Sequence, residues 1–372
     1  YKRQFQCHGP DKGTRKAKLR LDNKEGATAD LDGNQAIVPG NLAKSEMVKR
    51  MMSKDPEEVM PPPASHEKLS ERDIVVLKKW IEQGAVYSEH WSFVKPVKTP
   101  LPKVSNPAWP KNAIDHFILA RLDQEKLSPS PEAGRHALIR RVSLDLTGLP
   151  PTPREVDEFI KDTGATSYEK VVDRLMASKS FGERWARMWL DLARYADSAG
   201  YGSDPLRLNI WPYRDWLISA FNRNQPYDQF TIEQIAGDLL PNATNDQMLA
   251  TAFHRNTMTN TEGGTDDEEF RVAAIKDRAN TTGQVWMGLT VGCAQCHSHK
   301  FDPISQKEYY QFYALFNQTE DTDRGDEFPT MPMPTPSQQE AREKLQAQIA
   351  ELQKVIKNPP PPFDSELAEW EK

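Results

Sequence analysis

The pentapeptide Cys293-Ala294-Gln295-Cys296-His297 is the most chemically specific arrangement in the sequence. In a C-x-x-C-H segment two thiols can form thioethers to the vinyl groups of a haem, and the next residue offers its imidazole to the iron. One helical turn sets both sulfurs along one porphyrin edge and leaves His297 beneath the metal. The same residues also fit a redox C-x-x-C pair, half of a zinc site, or chance. Zinc needs two further ligands; His299 would make a fourth donor with Cys293, Cys296 and His297, but so tight a cluster strains a tetrahedral site.

Cys7-His8-Gly9-Pro10-Asp11 reads as the second half of the same pentapeptide, with Gln4 where its first cysteine would stand. A haem there is held by one thioether from Cys7 and an axial bond from His8. Val59-Met60-Pro61-Pro62-Pro63 puts a thioether in a stiff, extended loop, so Met60 is the candidate for the opposite face of that iron, although a methionine taken alone is more often a core residue. At the second site His297 is the expected proximal ligand. Its sixth ligand is sought in His254 or His299, with Met258 and Met287 behind them. An open sixth position implies chemistry on a small oxidant or substrate, and two strong ligands imply electron transfer.

The densest polar cluster runs from Asn260 to Arg271. Its acids favour a helix N-terminus, which is one reading. The other makes Glu262, Asp266, Arg271 and His254 catalytic candidates that handle protons beside a redox centre, leading through Arg278 and Asn280 towards Cys293. Glu262 and Asp266 as paired carboxylates also give a hydrolase reading, on sequence proximity alone.

These residues need elements to hold them. Ser70 can cap a helix whose apolar residues Ile74, Leu77, Trp80 and Ile81 share one face, and Gly84 ends it. A His-bearing site, a Met-Pro loop and a closing amphipathic helix, in that order, describe a small His/Met cytochrome c domain. From Asn112 the pattern stays helical, with Ile114, Phe117, Ile118 and Leu122 on one face and Leu138, Val142 and Leu146 on another segment, stopped at Gly148-Leu149-Pro150-Pro151. Uneven segments follow from Glu155 to Phe253, predicting an irregular helical array, and no alternation argues for a sheet. The aromatic run Trp185, Trp189, Tyr195, Tyr201, Trp211, Tyr213 and Trp216, interleaved with Arg184, Arg187, Arg194 and Arg214, packs helices or forms a carbohydrate platform with Asp191, Asp197 and Asp215.

Taken in order, Cys7 to Asp11, Leu19-Arg20-Leu21-Asp22, Ile37-Val38-Pro39-Gly40, Val59 to Pro63, Trp80 to Ala85, Leu144 to Thr152, Trp189 to Asp197 and Cys293 to His297 resemble the planctomycete-type cytochrome c domain joined to its associated helical domain of unknown function. The likeness covers about residues 5 to 320. It implies an exported, mainly α chain: an N-terminal cytochrome c-like domain, then an irregular multi-helix domain with a second haem c site. Gln4 departs from the full C-x-x-C-H that the family carries at its first site. The resemblance also implies a C-terminal region beyond residue 372, which with a redox partner protein is the expected partner.

The expected domains are therefore 1–92 (haem domain), 93–111 (proline linker), 112–320 (helical domain) and 321–372 (proline spacer and polar helix). The last has Leu345, Ile349, Leu352 and Ile356 as a thin stripe, as in one arm of a hairpin or coiled coil. With 372 residues and a net charge of -6 from 48 basic and 54 acidic side chains, no excess of cations favours nucleic acid. No stretch approaches the ~20 apolar residues of a membrane span. Tyr1 opens no signal-like segment, so export implies a signal already removed. Three cysteines are too few to staple such a chain. The function expected is a periplasmic or cell-surface dihaem c-type electron-transfer module, part of a larger oxidoreductase with a link to carbohydrate. The alternative is a glycan- or partner-binding helical scaffold with zinc or vestigial cysteine sites.

Overall fold

Capping boxes begin helix after helix in this chain. Ser70 and Asp73, Asn112 and Asp115, Thr152 and Glu155, Thr244 and Gln247, and Thr335 and Gln338 each exchange side-chain and backbone hydrogen bonds at a helix start. Each pair satisfies backbone N–H groups that the first turn leaves without partners. The structure is a computed structural model and describes residues 5–9, 15–65, 68–88, 91–260, 264, 266–320, 328–358 and 363–372. It divides into two compact units, Tyr1–Gly134 with Leu289–Phe312, and Arg135–Gly288 with Tyr313–Lys372.

The first unit builds its core on Leu21, Ala27, Ile37, Val48, Met51 and Ile81. Helix Glu71–Glu82 forms where the spacing predicts it and buries Ile81 fully; Gly84 then turns the chain at φ +98°. A small antiparallel ribbon, Asp30–Leu31 with Asn34–Gln35, is the one sheet among the described residues of this mainly helical chain. Its cause is local: Asp32 and Gly33 both take positive φ, the geometry of a two-residue hairpin turn. Helix Ala113–Gln124 forms where the periodicity predicts it, capped by Asn112, but its apolar stripe is not its buried side. Ile114, Phe117 and Ile118 are exposed and Leu119 is the buried residue. The polar side of that helix is tied down instead, where the backbone N–H and hydroxyl of Ser105 donate to Asp123.

The second unit packs Lys179–Ala193 against Trp211–Asn222. Gly182 permits the approach, because a Cβ there would lie 2.4 Å from the Ile218 carbonyl oxygen. Around this contact Trp189, Tyr213, Trp216 and Phe230 meet edge-on or stacked. The fully buried Gln234 accepts from Trp189 Nε1 (2.8 Å) and Tyr213 Oη (2.7 Å), so both polar tips are satisfied inside the core. Helix Pro336–Lys357 keeps Leu345, Ile349, Leu352 and Ile356 exposed. Among the described residues no helix is long and apolar enough to cross a membrane.

Candidate functional site

The turn that carries the C-x-x-C-H residues is a short 3-10 helix, Val291–Gln295. Its buried side is Val291 and Ala294, while Cys293, Cys296 and His297 are all exposed. Alternation of a buried alanine with two free thiols spaced by one turn puts both sulfurs on the solvent side. His297 Nδ1 lies 2.9 Å from the Ser298 carbonyl oxygen. A carbonyl only accepts, so Nδ1 carries the proton and the lone pair of the neutral ring is on Nε2. That is the tautomer in which a histidine ligates a metal through Nε2 while its second nitrogen holds the ring in orientation. The donor set and tautomer fit a haem.

His299 has the opposite tautomer. Its Nδ1 accepts from the backbone N–H groups of Asp302 (2.7 Å) and Phe301 (3.2 Å), and the backbone N–H of His299 donates to the Ile304 carbonyl (2.7 Å). The ring is buried and the proton of its neutral form sits on Nε2. This histidine folds the loop after the turn, and its geometry suits that task better than axial ligation. Among the described residues no three His, Cys, Asp or Glu side chains gather into a group able to hold a metal ion, so Cys293, Cys296, His297 and His299 do not assemble the zinc cluster.

The loop leads into helix Gln306–Phe316. Ser305 and Glu308 bond reciprocally at its start. Gln306 Nε2 donates to the carbonyls of Cys296 (3.0 Å) and Gln295 (3.1 Å), and the Tyr310 hydroxyl donates to Gln295 (3.1 Å). Sequence reasoning missed both residues. The Ser305-x-x-Glu308 spacing announces a helix start, but no local pattern says which carbonyls the next side chains reach.

At the N-terminal site Cys7 and His8 lie on the short helix Phe5–His8 and are half-buried. The backbone around them is pinned: Lys16 N–H donates to Cys7 O (2.8 Å), Leu21 N–H to His8 O (2.9 Å) and Arg15 Nε to Gly9 O (3.0 Å). Burial pushes the His8 imidazole below its ordinary pKa, against a smaller upward pull from the Leu19 and Lys16 backbone. Nδ1 is sealed from solvent, and none of those backbone groups reaches it with hydrogen-bond geometry. A neutral imidazole is the ligating form. Met60 is half-buried beside Pro61 and Pro62, with its N–H donating to Arg50 O (3.1 Å). Gln4 lies outside the described residues.

The remaining candidates have structural partners in the second unit. Asp266 is the N-cap of helix Asp267–Met287, accepting from Glu268 N–H (2.8 Å) and Glu269 N–H (3.2 Å). Arg271 pairs with Glu268 (2.7 Å) and donates to Asn317 (2.8 Å). Glu262 lies outside the described residues. His254 packs its ring against Phe253 and Phe316, and its carbonyl accepts from the buried Arg278 (2.8 Å). Met258 and Met287 are exposed. Of the aromatic run, Trp189, Tyr213 and Trp216 belong to the core; only Trp211 and Tyr201 are substantially exposed, and Tyr201 meets Phe270 edge-on.

The helical chain brings the C-x-x-C-H residues to the surface on one turn, the arrangement that the cytochrome c expectation requires. Comparison with known families agrees: residues 5–64 match Planctomycete cytochrome C (PSCyt1), and residues 113–321 match PSCyt2, a protein of unknown function (DUF1549). The chain belongs to this family of planctomycete-type cytochrome c domains joined to a helical domain of unknown function. No curated protein and no solved structure matches it.

Proposed function

We propose that this chain is an exported electron-transfer module that holds two c-type haems, one through Cys7, His8 and Met60 and one through Cys293, Cys296 and His297. The observation that carries the reading is the pairing of two exposed thiols, one turn apart, with a histidine whose Nδ1 proton is committed to the Ser298 carbonyl. Haem bound there supplies a one-electron couple. The protein's part is to keep His8 neutral by burial, to fix the His297 ring, and to hold the thiols in register. Thioether attachment takes place outside the cytoplasm, which supports a periplasmic or cell-surface location. A redox partner protein or a larger oxidoreductase receives the electrons, and exposed Trp211 and Tyr201 leave a carbohydrate contact open to the same assembly.

The test is the visible spectrum and pyridine haemochrome of protein matured in a host that assembles c-type cytochromes. Two haems per chain are expected, with Cys7→Ala removing one and the pair Cys293→Ala and Cys296→Ala removing the other. A colourless native preparation would overturn the reading. Reduction under carbon monoxide then reports whether either iron exchanges a ligand.

A further inference from the structure

We propose that Gln306 and Tyr310 are positioning residues for His297, gripping the C-x-x-C-H turn by its last carbonyls so that the imidazole and both thiols keep one fixed relation. The inference rests on the reading of that turn as a haem site. A one-turn helix such as Val291–Gln295 cannot satisfy its own C-terminal carbonyls, and a turn left to water at that end frays. Here the carbonyls of Gln295 and Cys296 receive three hydrogen bonds from Gln306 and Tyr310. These two donors stand one turn apart on the same face of helix Gln306–Phe316. That helix is itself fixed at its start by the Ser305 and Glu308 pair.

The remaining sides of the turn are fixed as well. Ala294 and Val291 anchor its inner side, and the buried His299 ties Phe301, Asp302 and Ile304 into the connecting loop. The peptide planes on both sides of Cys296 are thereby set, and with them the direction in which His297 leaves the chain. Releasing the grip lets the His297 ring lose its bond to Ser298, which lowers its basicity as a ligand.

The experiment uses the full chain, matured with haem and also in its haem-free form. Gln306→Met keeps length and removes both donors, Gln306→Lys keeps donors, and Tyr310→Phe removes one hydroxyl. Amide exchange across residues 291–298 of the haem-free protein should accelerate about tenfold in Gln306→Met, less in Tyr310→Phe, and stay near native in Gln306→Lys. In the haem-loaded protein the reduction potential of the centre at His297 should rise in Gln306→Met and that of the centre at His8 should not move. Unchanged exchange in every variant, or potentials that shift equally at both centres, would overturn the proposal. If native protein carries no haem at Cys293 and Cys296, the functional reading fails. Exchange then decides the grip alone: acceleration in Gln306→Met with rescue in Gln306→Lys upholds it, and its absence defeats it.

Discussion

Replacing Gly182 by alanine tests the closest helix contact in the second unit. A Cβ at that position would stand 2.4 Å from the Ile218 carbonyl oxygen and 2.5 and 2.6 Å from Cγ and Nδ2 of Asn222. Asn222 can swing away, but it then gives up the bond it accepts from the Gly182 N–H (2.8 Å) and the one it donates to Lys179 O (3.2 Å). The Ile218 carbonyl belongs to a helix backbone, so relief there requires the helices Lys179–Ala193 and Trp211–Asn222 to separate. Overpacking of this kind costs about 1–3 kcal/mol. Each partly exposed hydrogen bond adds about 1 kcal/mol. The intrinsic helix preference of alanine over glycine returns about 1 kcal/mol. Using these ranges, the net destabilisation expected is about 2–4 kcal/mol. Urea unfolding followed by tryptophan fluorescence reads this unit, because Trp189 and Trp216 lie in its core. In an Asn222→Ala background the same change should cost less, since the side-chain clash is gone and only the carbonyl contact persists. A neutral or stabilising Gly182→Ala, the behaviour of an open helix site, would refute the close approach.

Two further outcomes follow from the same geometry. Gln234→Leu strands Trp189 Nε1 and the Tyr213 hydroxyl in the core, at about 1–3 kcal/mol for each orphaned donor; thermal unfolding should show the loss, and adding Tyr213→Phe should recover part of it, whereas full additivity would mean that the two do not share Gln234. Glu155 is held below its ordinary pKa first by the hydrogen bond from the Thr152 backbone N–H and then, against some burial, by the Thr152 hydroxyl and Arg174. The folded protein therefore binds this proton less readily than the unfolded chain: the stability is fully present above the ordinary value of 4.5 and is lost as pH falls through the depressed one. Glu155→Gln should flatten the acid limb of a stability-against-pH curve in that window, and an unchanged slope would remove Glu155 from the cap's electrostatics.

Much of the fold was legible because its signals are local. Ser70 with Asp73 and Gly84 frame the helix Glu71–Glu82, and Thr152 with Glu155 does the same for Pro153–Lys161; each is chemistry between residues a few positions apart. The Asp32-Gly33 hairpin is also local, but its strands are two residues long, too short for alternation to register. The helix Ala113–Gln124 shows the limit of periodicity. Ile114, Phe117 and Ile118 share a face, yet that face is exposed, because which side is covered depends on segments outside the helix, such as the one that carries Ser105.

The candidate sites divide in the same way. The pentapeptide is readable because Cys293, Cys296 and His297 lie within five consecutive residues, a spacing that owes nothing to tertiary structure. The tautomers are different. His297 and His299 stand two residues apart and are equivalent in composition, but one donates from Nδ1 to a carbonyl and the other accepts at Nδ1 from two backbone N–H groups. Only the path of the chain distinguishes them. The first donates its Nδ1 proton and leaves Nε2 with a lone pair; the second spends Nδ1 on turning the chain towards Gln306, whose amide returns to hold the peptide from which His297 projects. The candidate ligand and the loop-folding histidine are thus identical side chains sorted by backbone hydrogen bonding.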